Sequence, residues 1–291
     1  MRELSHSRAV LLMVATALMW STAGVVTRHL EHARSFEVTF WRSLFTLLAL
    51  LVILPAMQGR TVFAAMRKTG RALWISGLCW CVMFTAFMLA IMLMPVANVL
   101  LTMAAGPLLT ALFARAFIGH RIAPRTWVAI AVAGLGIVWM YGSQVTGLPL
   151  AGTIVALCVP VAAATNWTLV QHAQRHGQAV DLVPAVLVGA VLSVGATLPL
   201  SLPLQASLHD IGLLALLGLA QLAIPCVLAV RCARVLRAPE IALLSLLEVI
   251  FGILLAWLGA GEKPGAAVLT GGALVIGALV FNELLAWKEQ K

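Results

Sequence analysis

At 291 residues the chain is 62% hydrophobic and only 10% charged, too little polar surface to cover a water-soluble fold, so its natural solvent is a bilayer. The formal +9 is spread over separate short segments, which reads as membrane topology and excludes a nucleic-acid-binding patch. Five cysteines, Cys79, Cys81, Cys158, Cys226 and Cys232, lie in or beside apolar runs without a histidine cluster, which points to packing and not to a disulfide framework or metal site.

A stretch of about 20 apolar residues crosses the hydrocarbon, and ten such runs follow one another, near 9–28, 36–56, 72–93, 96–117, 126–142, 151–171, 182–200, 210–230, 239–259 and 265–285. None alternates strictly with a two-residue period, so helices fit and barrel strands do not. The first run is longer than a signal-peptide core and lacks a small-residue cleavage site, so it is expected to be retained; it carries Trp20. The second holds Arg42, a cation well inside a span. Arg42 can snorkel outward, cap a cavity or pair with a carboxylate, and snorkelling or local pairing is the simpler reading. In the third run Trp80, Phe84 and Phe87 share a helical face.

The fourth run brings Asn98, Thr102, Met103 and Pro107, and the sixth Pro160, Asn166 and Trp167. Gln221 and Pro225 lie in the eighth. Each of the three prolines removes an amide donor and frees a carbonyl, so each is a candidate hinge, although proline kinks also occur in ordinary transmembrane helices. The ninth run, LLSLLEVIFGILLAW at its centre, places Glu248 near the midplane, with Ser245 and Gly252 on its face. A charge at that depth faces a cavity, is protonated or has a partner. Either substrate recognition or a helix-to-helix hydrogen bond accounts for Glu248, and each neutral polar side chain is by default interhelical glue.

Basic residues orient the chain. Fifteen of them, from Arg2 and Arg8 through the Arg60–Arg71 and Arg231–Arg237 loops to Lys288 and Lys291, fall on one side, against Arg28, Arg34 and Lys263 on the other. Both termini are therefore expected to be cytoplasmic. Laid over each other at an offset of 142, the segments from Pro95 and from Arg237 agree in hydropathy and in the turn that ends them, Gly119–His120–Arg121 against Gly261–Glu262–Lys263. A repeat of five spans must re-enter from the opposite side, which makes the halves, 1–146 and 147–291, inverted repeats with a central cavity between them.

The segments ALMWSTAGVVTR, FWRSLFT, NVLLTMAAGPLLTALFA and APEIALLSLLEVIFGILLAWLGAGE resemble the signature segments of the EamA-type drug/metabolite transporter superfamily over essentially the whole chain. Within it the chain is most similar to the aromatic amino acid exporters. The resemblance implies an all-α integral membrane carrier of ten helices in two inverted five-helix repeats, exporting small metabolites. His120 departs from it, standing where the family often has the acid that Glu262 keeps in the second half.

A membrane enzyme is disfavoured: Asp181 and Asp210 sit at span edges, and the seven histidines lie in loops, tails or span ends. With Arg42 the one cation at depth, a dianionic substrate is disfavoured as well. The reading is a carrier of neutral or zwitterionic metabolites, amino acids including aromatic ones, working by alternating access in the cell inner membrane. The alternative is an exporter of amphipathic organic cations. Candidate substrate contacts are Trp20, Trp80, Phe84, Asn98, Thr102, Met103, Asn166, Trp167, Gln221, Ser245 and Glu248. Pro107, Pro160 and Pro225 are the candidate hinges. No cofactor or metal is expected; the partners are the substrate and the lipid bilayer, and one chain can form the whole pathway.

Overall fold

In lipid a backbone must close its own hydrogen bonds, and each of the ten apolar runs does so as helix. The computed structural model describes residues 5–59, 61–68, 70–119, 123–142, 150–175, 183–232, 235 and 238–289. In chain order the helices are α1 (His6–Thr27), α2 (Ser35–Gln58), α3 (Val62–Lys68), α4 (Arg71–Leu93), α5 (Val96–Met103), α6 (Gly106–Ile118) and α7 (Pro124–Gly142), then α8 (Leu150–Arg175), α9 (Val183–Ser201), α10 (Leu208–Leu216), a π-helical segment (Leu217–Ala223), α11 (Ile224–Cys232), α12 (Ala238–Ala260) and α13 (Ala266–Glu289). Six stretches are long and apolar enough to cross a membrane: α1, α2, α4, Val96–Phe117, α9 and Leu208–Ala229. Large apolar side chains such as Leu11, Val52, Phe117, Leu135 and Leu258 stand on the outside of the bundle, where lipid is the matching solvent. Short α3 has no counterpart among the ten apolar runs.

Two of the runs are interrupted, and proline accounts for both places. The fourth breaks at Ala104 and Ala105, and α6 restarts with Pro107 as its second residue. A proline is tolerated in a first turn, where its missing N–H has no partner to lose. In the eighth, Pro225 is the second residue of α11, and the turn before it widens to a π segment in which the Ile224 N–H reaches Leu219 O. Pro160, in contrast, lies inside an uninterrupted α8. The turns after α6 and α12 close alike, on Gly119 at φ 70° and Gly261 at φ 69°, a left-handed conformation that glycine adopts without strain.

Helices of the first half pack mainly against helices of the second. Matched in order, α1 with α8, α2 with α9 and so on, the contact of α1 with α12 corresponds to that of α8 with α6. The contact of α4 with α9 corresponds to that of the π segment with α2, and the contact of α4 with α8 to that of α11 with α1. The contacts α2–α9, α5–α12 and α7–α13 correspond to themselves. A packing scheme that returns itself on exchange of the halves is that of two structural repeats. Arg28, at the end of α1, and Gly152, at the start of the matching α8, both lie against Met94.

Glycines make the closest of these contacts, as small residues do where helices pack in lipid. Gly77 of α4 lies under Val188 of α9; at the matching place Gly218 of the π segment lies on α2, where an added Cβ would come within 2.7 Å of Arg42 O and 3.0 Å of Thr46 N. Thr46 Oγ1 donates to Gly218 O across the same contact, at 3.0 Å. Since backbone and not a flexible side chain blocks the methyl, Gly218→Ala is expected to lower stability by about 1–3 kcal/mol. Gly212→Ala, where an added methyl meets nothing, is the control, and the melting temperatures of the two purified variants decide.

Candidate functional site

The Gly218 contact holds α2 against the π segment, and one turn further along that segment Gln221 faces Arg42. Arg42 is 1% exposed. Its Nη1 donates to Gln221 Oε1 at 3.2 Å and its Nη2 to Phe84 O at 2.7 Å, while Nε has no hydrogen-bond partner. The rings of Phe84 and Phe87 lie with their centroids 5.9 and 6.0 Å from Cζ, close enough for a cation–π contribution in a dry site. Of the two simpler readings, snorkelling and local pairing, the structure shows local pairing. The α2 position points between α4 and the π segment, and those elements bury the guanidinium among neutral acceptors. The positive charge is held by neutral acceptors; among the described residues no carboxylate pairs with it.

Gln221 carries the cluster onward, its Nε2 donating to Trp20 O at 3.3 Å. Trp20 in turn packs on the core cluster that contains the buried Cys226 of α11. Arg42, Gln221 and Trp20 thus link α2, the π segment and α1, and Glu248 lies on α12, which packs against α1. Glu248 is partly exposed, as is Ser245 one turn away. Gly252, on the same face, makes a helix contact, where an added Cβ would run into the end of the Leu100 side chain of α5.

The remaining expected residues fall elsewhere. Asn166 Oδ1 accepts from Ser76 Oγ at 2.6 Å, tying α8 to α4. Trp80 stacks obliquely on Phe84, with ring centroids 5.6 Å apart, and covers Gly189 of α9. Asn98 and Thr102 are buried on α5, where Thr102 Oγ1 donates to Asn98 O at 2.7 Å, and Met103 packs on the main core. Trp167 and Pro107 lie outside the described side chains, and His120 outside the described residues. Cys226 is buried in the core cluster formed with α2 and α9. Beside Arg42, Ser43 and Thr85 each meet Ser193 of α9, at 2.9 and 3.1 Å, a hydroxyl cluster that no spacing in the sequence announces.

The profile of one family matches the chain twice, over residues 7–142 and 150–283, nearly its whole length and once per structural repeat. The chain belongs to the EamA-like transporter family. No curated protein matches it. Among solved structures, a crystal structure 20% identical in sequence superposes with a TM-score of 0.66, covering 99% of this chain and 100% of its own, which establishes a shared fold. In this EamA-like transporter Arg42, on α2, is buried and Glu248, on α12, is partly exposed, and α1 packs on α11, on α12 and on the π segment.

Proposed function

We propose that this EamA-like transporter is a ten-span secondary carrier that exports small zwitterionic metabolites, amino acids including aromatic ones, across the cell inner membrane by alternating access. The observation that carries the reading is a pair of opposite charges inside the bundle, Arg42 on α2 and Glu248 on α12. A buried cation held by neutral acceptors is short of counter-charge, and a substrate carboxylate supplies it. Glu248 is the matching pole for a substrate ammonium. The Phe84 and Phe87 rings and the Trp20 indole offer flat apolar surface to an aromatic side chain. A dianion would need a second buried cation.

The inverted arrangement of repeats 1–146 and 147–291 is supported at Met94, where the last residue after α1 and the first turn of α8 meet: matched helices run in opposite directions. Both termini on the cytoplasmic side follow from the fifteen-to-three distribution of basic residues. Pro107 and Pro225 mark the two interrupted runs and serve as hinges, with Pro160 the third candidate. One chain contains both repeats, so a monomer suffices.

One observation favours the alternative, an exporter of amphipathic organic cations: Arg42 already donates to two protein acceptors, whereas Glu248 is partly exposed. A proteoliposome uptake screen with neutral amino acids, lipophilic cations and sugar phosphates separates the two. The proposal expects saturable amino acid uptake and none of sugar phosphates; uptake of cations alone would replace it by the alternative.

A further inference from the structure

The end of the bundle opposite both termini is held by three carboxylates, each bridging the two repeats. Glu262, in the turn after α12, pairs with Arg28 Nε and accepts the Val96 N–H at 2.9 Å. Arg28 also donates to Ile91 O at 2.7 Å and Met94 O at 3.1 Å, so a single ion pair ties α1, α4 and α5 to the α12–α13 turn. Asp210, at the start of α10, accepts from the N–H groups of Glu31, His32 and Ala33 in the α1–α2 loop, at 2.8–2.9 Å, and from Ser207 N at 3.3 Å. Glu37 of α2 accepts from Gln205 N and Ala206 N, ahead of α10, at 2.9 and 2.8 Å. Among the described residues no carboxylate joins the two repeats at the opposite end.

We infer that Glu262 and Arg28 form the releasable latch of the transport pathway at this end, while Asp210 and Glu37 are the fixed clasp about which the repeats turn. The distinction is physical. Asp210 is 0% exposed and its carboxylate serves three amides of the other repeat and one of its own, so separating the repeats would strand a buried charge and three donors. Arg28 and Glu262 are 25% and 24% exposed, so water can take over their hydrogen bonds as they part. Their partners also suit a latch. Arg28 grips carbonyls at the end of α4 and Glu262 grips the first amide of α5, so parting Glu262 from Arg28 and Val96 removes the polar tie between the α12–α13 turn and the α4–α5 corner, while that corner keeps its packing on Gly152 of α8. Behind the pair lie Val25, against Gly259, and Ser21, near Gly252, on the α1–α12 contact that opening must separate. The inference rests on alternating access and is independent of which substrate is carried.

Ser21 is 2% exposed and lies two helical turns below Arg28, so a cysteine there reports opening. With a membrane-impermeant maleimide applied from the Arg28 side and no substrate present, Ser21→Cys is expected to react slowly in the otherwise wild-type protein. With Glu262→Gln added, the reaction is expected to be at least about tenfold faster, the size of a typical coupling between two conformational states. Arg28→Gln, which leaves the Glu262 contact to Val96 in place, gives the same reading from the other half of the pair. An unchanged rate in both variants would overturn the latch, as would an equal acceleration at the buried native Cys79, Cys81 and Cys232, which would mean general loosening. Neither result depends on the uptake screen, so the latch and the substrate proposal fail separately.

Discussion

Glu248→Gln is expected to abolish transport of a zwitterionic substrate, lowering turnover on the order of 10²- to 10³-fold, while the protein extracts and melts as wild type. Removing one member of a desolvated charge pair costs about 2–5 kcal/mol, and each 1.36 kcal/mol is a factor of ten. Gln keeps the shape and hydrogen-bonding capacity of Glu, so what changes is the charge. The carboxylate accepts no hydrogen bond from a described residue, which does not fit a group retained to lock two helices. If it is such a lock, Gln preserves transport and Glu248→Leu lowers the melting temperature. Rates in proteoliposomes, set beside melting curves of the same preparations, separate the cases.

Arg42 should give the second large effect, divided between fold and function. Arg42→Leu leaves Gln221 Oε1 and Phe84 O without their donor, an expected loss of about 2–6 kcal/mol at about 1–3 per buried group, enough to depress expression and melting temperature. Arg42→Lys keeps the charge but replaces a planar fork by a point donor. It is expected to fold and to raise KM for a zwitterion roughly tenfold, a loss of about 1.4 kcal/mol, without changing KM for a cation that lacks the carboxylate. An equal rise for both would mean that Arg42 only supports the π segment.

The run positions were legible because hydropathy over 20 residues is a local quantity, and so were the turns at Gly119 and Gly261. The interruptions were half legible. Pro107 and Pro225 announced that a helix could not continue unchanged, but whether it kinks, restarts as at Gly106, or widens into a π segment as at Leu217–Ala223 depends on what packs alongside. Whether Arg42 snorkels or pairs locally was open for the same reason. Depth in a span can be counted from sequence, whereas enclosure depends on Gly218 letting the π segment approach α2. That Gly252 is a helix contact was not legible, because a missing side chain in sequence does not say whether a neighbour has filled it. Asn166 and Ser76, ninety residues apart, met as interhelical glue, the ordinary role of a polar residue in lipid.

The central claim is that one substrate satisfies both charges of the site, and a truncation series tests it most directly. Uptake of phenylalanine into proteoliposomes is compared with that of phenethylamine, which lacks the carboxylate, and of 3-phenylpropionate, which lacks the ammonium, at equal concentration. The account predicts saturable transport of phenylalanine and at least about tenfold weaker transport of both truncated compounds, since each leaves one buried charge unmet. Phenethylamine carried as well as phenylalanine, or better, would contradict it and make Glu248 the binding pole of a cation exporter.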